Sequence, residues 1–189
     1  VLRSSKEASV RKVIFSGSSA VYGNPNNTPT SEDEPVNCLN PYALQKYTAE
    51  QYGLLLGKFW RQPFISLRYF NPYGPRSFNQ KNPDNAYSSV VGIFQNQFKN
   101  KSKLTITGDG SQKRDFIYVG DLAKANLEIA NSEIEFGVYN VGYGKAVSVL
   151  EIAQLITDQF TFIPERAGEA DITLADNSKL KNQTGWTLL

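Results

Sequence analysis

Lys12-Val13-Ile14-Phe15-Ser16-Gly17-Ser18-Ser19-Ala20-Val21-Tyr22-Gly23 and, after a loop, Asn40-Pro41-Tyr42-Ala43-Leu44-Gln45-Lys46 are the two stretches that decide the fold. Lys12 to Ser16 is a short apolar run ending in small residues, the pattern of a buried parallel strand. Gly23 to Pro41 is rich in Pro, Asn, Thr and Asp, has no apolar period and reads as a loop. Pro41 suits the first turn of a helix, which the pattern carries to about Phe59. Phe64 to Phe70 is the next apolar run and the next expected strand, and Asn71 to Asn85 is a second long loop.

The same alternation continues toward the C-terminus. Helices are expected over Ser88 to about Lys99 and Asp121 to Ala130, and strands over Leu104–Ile106, Phe116–Val119 and Gly137–Gly142. Ser148 and Glu151 have the spacing of a capping box, and Val149, Ala153, Ile156 and Phe160 then share a helical stripe. Asp176 to Gln183 closes as a short helix with Gly185 just past its end. Strand and helix in alternation imply an α/β fold with a parallel sheet.

Composition removes several kinds of chemistry. The 189 residues include no His, so a Ser-His-Asp or Cys-His triad, an HExxH zinc site and an imidazole acid/base are all absent. No metal is expected. Lys and Arg number 20 against 18 Asp and Glu, a balance of +2 that makes no electrostatic case for nucleic acid or an anionic membrane. No signal peptide and no apolar run long enough to span a bilayer is present. Cys38 is the one cysteine, in a loop with nothing cationic adjoining it, and reads as inert and cytoplasmic. The sequence has no Met, even at position 1, which points to an internal fragment of a longer protein.

Proton chemistry must then use Tyr, Lys or a carboxylate. Tyr42 and Lys46, at positions i and i+4 of a helix, share a face with β-carbons roughly 5–6 Å apart. An ammonium held beside a phenol favours the phenolate, so the pair makes a workable base without histidine. With 10 Tyr in the chain such a spacing arises readily by chance, and context has to support it. Ala49 and Gly53, further along the same face, lack bulk and would let the helix approach a sheet or ligand. The serines at positions 16, 18 and 19 end a parallel strand, where open α/β sheets bind ligands, although Ser and Gly also end strands as plain turn chemistry.

Taken together these residues resemble a known family. Ser19-Ala20-Val21-Tyr22-Gly23 and Asn40 to Lys46 look like the catalytic core of the extended short-chain dehydrogenase/reductase family. Arg68-Tyr69-Phe70-Asn71-Pro72-Tyr73-Gly74-Pro75-Arg76 is similar to its substrate-entry motif, and Gly108 to Phe116 to its nucleotide-diphosphate motif. Arg166-Ala167-Gly168-Glu169, followed by Ala175-Asp176, resembles its late Arg-x-Gly-Asp segment. These motifs occur in order over nearly the whole chain and resemble the nucleotide-sugar epimerases of the UDP-glucose 4-epimerase type.

The resemblance implies the C-terminal part of a Rossmann-like NAD-binding domain, over 1–77 and 115–131, with a small α/β substrate domain over 78–114 and 132–189. It implies NAD as cofactor and epimerisation of a UDP-hexose at C4 by transient hydride transfer. Tyr42 would take the 4-hydroxyl proton, Lys46 would hold the nicotinamide ribose, and Ser18, with Ser19 as the other candidate, would bond the same hydroxyl. Phe70 would line the nicotinamide pocket and Asn71 would bond a substrate phosphate. Ser89 and Val90 fall where the family's backbone meets the nucleotide, and Glu169 where a ribose contact belongs. Arg114 and Arg166 also have a physical rationale as diphosphate clamps, because guanidinium forks match phosphate oxygens. Their alternative is an ordinary ion pair, Arg114 with Asp115 or Arg166 with Glu169.

Thr173 falls where the family places a gate beside the sugar's 2-substituent, and its small size implies that an N-acetyl group is admitted. The family's Gly-x-x-Gly-x-x-Gly turn is absent from the sequence, so the isolated fragment is expected to be inactive; the full-length protein is expected to be a homodimer. A 4,6-dehydratase or decarboxylase is disfavoured because positions 16 to 20 carry no carboxylate. A nucleotide-sugar reductase, an epimerase at another carbon and a non-catalytic nucleotide-sugar-binding protein remain as alternatives.

Overall fold

The computed structural model describes residues 1–78, 89–166 and 168–189. A six-residue helix α1 (Leu2–Glu7) with no buried residue precedes strand β1 (Val13–Ser18), which ends in a single 3-10 turn over Ser19–Tyr22. Helix α2 (Pro41–Trp60) follows the loop and returns the chain to strand β2 (Phe64–Tyr69). Asn40 caps α2 by accepting from the Ala43 amide at 2.9 Å, and Pro41 occupies the first turn, where its missing N–H costs no hydrogen bond.

A parallel strand must be reached by a crossover, and α2 supplies the one between β1 and β2. The two pair in register from Val13 opposite Phe64 to Ser18 opposite Tyr69. On the far side of β2 lies β7 (Phe136–Val141), so the sheet order is β1-β2-β7, all parallel. One face of this sheet packs in a core of Ile65, Leu67, Tyr139 and Val141 with Ile117, Ala125, Ile129, Leu180 and Trp186. Ala125 and Ile129 come from α4 (Val119–Asn131) and Leu180 from α6 (Ser178–Thr184), which ends at Gly185 in the left-handed conformation, φ 73°. The segment 132–189, expected as part of the substrate domain, includes β7 and α6. Both β7 and α6 belong to the layers of the three-stranded sheet, because their apolar sides complete its core.

A second core is small and separate. Strand β4 (Leu104–Thr107) pairs in parallel with β9 (Phe160–Ile163), and Phe94 of α3 (Val90–Lys99) packs there with Leu104, Ile106, Val149 and Ala153. Short strands join the two parts: β3 (Pro72–Tyr73) with β6 (Ile117–Tyr118), and β5 (Lys113–Asp115) with β8 (Ala146–Ser148). The capping box of α5 (Val149–Gln154) forms as the Ser148–Glu151 spacing implies.

Three local expectations change. Phe160 is not on the α5 stripe: that helix ends at Gln154, and Phe160 opens β9 opposite Leu104. The strand expected over Phe116–Val119 is limited to Ile117–Tyr118, and Val119 already begins α4. Ala49 is exposed; the side of α2 against the sheet is Ala43, Glu50, Gly53 and Gly57. A β-carbon on Gly53 would stand 2.0 Å from the Phe64 ring, so the absence of a side chain is what lets helix and strand meet. The loop expected over 71–85 and the helix start at Ser88 fall partly outside the described residues.

Candidate active site

The carboxyl ends of β1 and β2, the start of α2 and the loops after β4, β5 and β9 enclose a cleft of about 700 Å³. Ser18, Tyr42, Lys46, Asn71, Ser89, Val90, Arg114, Arg166, Glu169 and Thr173 all line it. These side chains come from positions up to 155 residues apart (173 − 18), and the fold brings every one of them to a single cavity. Phe70 is the exception. It is 1% exposed and packs with Val21, Tyr22 and Ala175, so it supports the wall from behind, and Tyr69 lines the cleft instead. The inversion follows from strand alternation, which sends neighbouring residues to opposite faces.

One wall belongs to the parallel sheet. The Lys46 ammonium donates to the Ser16 carbonyl at 2.8 Å and stands 5.7 Å from the Tyr42 ring centroid and 5.3 Å from that of Phe15. Tyr42 and Lys46 thus share the helix face that their spacing implied. Ser18 is buried, and its Oγ accepts from the Ala20 amide at 3.2 Å. That bond uses a lone pair, so the hydroxyl proton is still available to donate. Ser19 is equally buried and lines the same cleft, so both serines stand at the site.

The facing wall carries charge complementary to an anion. Arg114 donates through Nη2 to Glu169 Oε2 at 3.3 Å and through Nη1 to the Lys113 carbonyl at 3.0 Å. Burial lowers the Arg114 pKa while Glu169 works against that fall. The ion pair expected between Arg114 and Asp115 is not made, nor is one between Arg166 and Glu169 among the described residues; Arg114 and Glu169 pair with each other. Arg166 is exposed on the rim. The Asn40 amide donates to the Gly168 carbonyl at 3.0 Å, which ties this late loop to the start of α2.

Asp115 holds the floor together. Its carboxylate accepts from the Tyr143, Gly144 and Ala175 amides at 2.7, 3.0 and 3.0 Å. Burial pushes its pKa up, against the pull of those three amides. Asn71 Nδ2 donates to the Asp115 carbonyl at 3.2 Å and to Thr173 Oγ1 at 2.8 Å. The first acceptor can only accept, which fixes the orientation of the Asn71 amide. Thr173 Oγ1 also accepts from the Asp115 amide at 3.3 Å, so its hydroxyl is turned toward this floor. Asn71 itself has φ +27°, an unusual conformation for a residue with a side chain.

Ser89 Oγ caps α3 by accepting from the Gly92 amide at 3.1 Å, which leaves the helix start with Val90 facing the cleft. Tyr69, Arg76 and Gln112 also line the cavity and were not singled out from sequence. Tyr69 and Arg76 flank Asn71 in the quoted Arg68–Arg76 motif, which was the signal available. Burial pushes the Cys38 thiol up; it lies 3.9 Å from the Val21 carbonyl and packs against the cluster of Val21, Tyr22, Phe70 and Ala175. Among the described residues no group of His, Cys, Asp and Glu could hold a metal, and no helix is long and apolar enough to cross a membrane.

The model of the NAD dependent epimerase/dehydratase family matches residues 1–142. A putative UDP-glucose 4-epimerase of Methanocaldococcus jannaschii is 38% identical over 98% of this chain and 61% of its own length. Among solved structures, the UDP-N-acetylglucosamine 4-epimerase of Methanobrevibacter ruminantium, in complex with UDP-N-acetylmuramic acid, superposes with a TM-score of 0.88 at 35% identity, covering 98% of this chain and 60% of that one. The UDP-glucose 4-epimerase of Thermus thermophilus, in complex with NAD, gives 0.86 at 29% identity over 98% and 61%. The chain therefore spans about three fifths of the length of these relatives.

Proposed function

The chain belongs to the NAD dependent epimerase/dehydratase family, and from that premise we propose that it carries the catalytic and substrate-binding residues of a UDP-hexose 4-epimerase. The observation that supports this reading most directly is the shared cleft, with Ser18, Tyr42 and Lys46 on one wall and Arg114 on the other. Such a cleft presents a proton acceptor to a sugar hydroxyl and a guanidinium to a diphosphate.

The residues present fit the nicotinamide end of NAD. The Lys46 ammonium has donors beyond the one it spends on Ser16, and Gly17 has no side chain to obstruct the strand end. The glycine-rich turn that would take the dinucleotide's diphosphate is not in this sequence. NAD, when bound, supplies a reversible hydride acceptor beside C4. This chain's residues would do the rest. Tyr42 takes the proton of the 4-hydroxyl and returns it, and Ser18 donates to the same oxygen. Lys46 holds the ribose and keeps a positive charge near Tyr42. Arg114, with Arg166 at the rim, binds the diphosphate and so anchors the nucleotide while the sugar turns. Inversion at C4 needs that separation, because the hexose must present its other face without the nucleotide leaving.

Thr173 is smaller than an aromatic residue and its hydroxyl is held by Asn71 and Asp115, which supports room for an N-acetyl group as well as a hydroxyl. We therefore favour UDP-glucose and UDP-N-acetylglucosamine as substrates. We also assign self-association to α2. Leu44, Tyr52, Leu55 and Phe59 are 56, 62, 68 and 80% exposed on its outer side, an apolar stripe suited to a second copy.

The test uses the protein as its gene encodes it, incubated separately with UDP-glucose and UDP-N-acetylglucosamine, with the C4 proton followed by NMR. The galacto isomer is expected without added NAD, and the ratio of the two rates reads Thr173. Bound NAD with no isomer from either sugar would overturn the reading in favour of a reductase or an epimerase acting at another carbon.

A further inference from the structure

Outside the cleft, the most unusual polar feature of the molecule is an ion pair behind it. Glu50 and Arg68 have side chains only 1 and 5% exposed, with Arg68 Nη2 2.6 Å from Glu50 Oε1 and Nε 3.0 Å from Oε2. Ser66 Oγ donates to Glu50 Oε2 at 2.7 Å and Gln51 Nε2 to Oε1 at 3.3 Å, which gives this carboxylate four hydrogen bonds. The guanidinium also lies 4.7 Å from the Tyr22 ring centroid, and Tyr22 donates to Asn140 at 2.7 Å. Burial works against the Arg68 charge, but the hydrogen bonds it donates to Glu50, together with the attraction of Tyr22 and Glu50, outweigh burial and raise the Arg68 pKa; burial pushes Tyr22 up to about 12. None of these groups touches the cleft, and replacing such a pair by apolar residues is often neutral or stabilising, so stability is a weak reason for its presence.

Its place on the elements supplies a better reason. Glu50 is one turn beyond Lys46 and two beyond Tyr42 on α2. In the β1–β2 register Arg68 stands opposite Gly17, between Ser16, which accepts from Lys46, and Ser18. A β-carbon on Gly17 would lie 2.6 Å from Ser66 Oγ, so that glycine lets strand and network touch. Helix α2 is thus fastened twice within one turn, by Lys46 to β1 at the cleft and by Glu50 to β2 in the interior. The helix, with side chains, has a radius of about 5–6 Å, so a rotation of about 10° would move the Lys46 and Tyr42 tips by ~1 Å. A displacement of that size at a reacting group can cost about 100-fold in rate.

We propose that Glu50 and Arg68, with Ser66, are positioning residues that set the rotation of α2 and thereby the placement of Tyr42 and Lys46 against Ser18. This rests on the catalytic reading of that trio. The closing experiment has one arm that needs no turnover.

The variant is the double substitution Glu50→Met with Arg68→Met, which keeps bulk and removes both charges together. Its melting temperature is expected to match or exceed the parent's, while kcat for isomer formation falls about 10- to 100-fold and KM changes by less than about twofold. In parallel, the rate at which acetic anhydride acylates Lys46, relative to the other lysines, is read by mass spectrometry. It is expected to rise about threefold as Ser16 releases the amine, the scale on which one hydrogen bond protects an exposed group. A folded double variant with parental kcat and parental Lys46 labelling overturns the proposal, as does a loss carried wholly by KM. If the double variant does not fold, Ser66→Ala, which leaves the charges paired, takes its place; lower kcat and faster Lys46 labelling support the proposal, and parental values overturn it. A parent that makes no isomer sinks the epimerase reading by itself, and the labelling ratio then decides the role of the pair alone.

Discussion

The two walls of the cleft are built on different principles. On the sheet side, Tyr42 and Lys46 stand on a 20-residue helix fastened to two parallel strands, by an exposed bond at the cleft and a buried network behind it, with Gly53 seated on Phe64. On the facing side, Arg114 is the middle residue of the three-residue strand β5, Arg166 and Glu169 follow β9 outside any strand, and Glu169 is 41% exposed where it meets Arg114. The first arrangement suits a proton transfer that tolerates little movement; the second suits an anion that must arrive, be held and leave. Under the proposed function, proton transfer and anion binding would fall to separate elements, and the diphosphate and hexose of a nucleotide sugar would reach across both.

Substitutions on the two walls should therefore fail in different ways. Tyr42→Phe keeps the ring and removes the proton acceptor, so isomer formation should fall by about 10²–10⁴ with UDP affinity unchanged. Arg114→Gln removes a charge-assisted clamp worth about 1.5–3 kcal/mol, so the Kd for UDP should rise about 10- to 100-fold while the rate at saturating sugar changes far less. Calorimetry with UDP and NMR of the isomers separate the two. Equal losses of binding and turnover in both variants would show that the walls do not divide the work.

A smaller effect probes why the first wall is rigid. In Gly53→Ala the added methyl meets Phe64, which is 3% exposed and cannot retreat. Overpacking in the upper part of its usual range, about 2–3 kcal/mol, should exceed the gain in helix propensity of about 1 kcal/mol, for a net loss of about 1–2 kcal/mol. A melting temperature lower by about 3–6 °C is expected. A stabilised Gly53→Ala would mean that α2 can shift on the sheet, and the contrast between the walls would weaken.

The residues that line the cleft were legible in the sequence mainly through ordered family motifs. Tyr42 and Lys46 are one turn apart and Ser18 ends an apolar run, but that spacing arises readily by chance, and the resemblance is what singled them out. Arg114 and Arg166 carry charges that need anions. Phe70 packs behind the wall while Tyr69 lines the cleft, and which of two neighbouring aromatic residues faces inward is not legible until the strand register is known. Ala49 was misjudged for a similar reason: a small residue can lie on either side of the helix, and it is Glu50 that turns inward. Glu50 and Arg68 lie 18 residues apart with no local signal to link them, and only the crossover from α2 to β2 makes them a buried pair. Phe160 continued the α5 period by coincidence, since period alone does not show where a helix stops.

Acid offers the finest distinction between the two parts of the fold. In the small core, Glu151 accepts from the Ser148 amide at 2.8 Å and the Ser148 hydroxyl at 2.7 Å, and these bonds hold its carboxyl below the ordinary 4.5. A depressed carboxylate stabilises the fold fully above its unfolded value and loses that contribution as pH falls through the folded one. Asp115 has the opposite sign, since burial raises it above 3.8 and the fold gains stability as that group takes up a proton. Glu151→Gln keeps the shape of the capping box without the titration. Its melting temperature should lie slightly below the parent's at pH 7, and the gap should close as the pH drops below 4.5 toward about 3. A gap that persisted at the acid end would mean that the start of α5 depends on the side chain's shape rather than its charge, and acid unfolding would then have to begin among the buried carboxylates of the larger core.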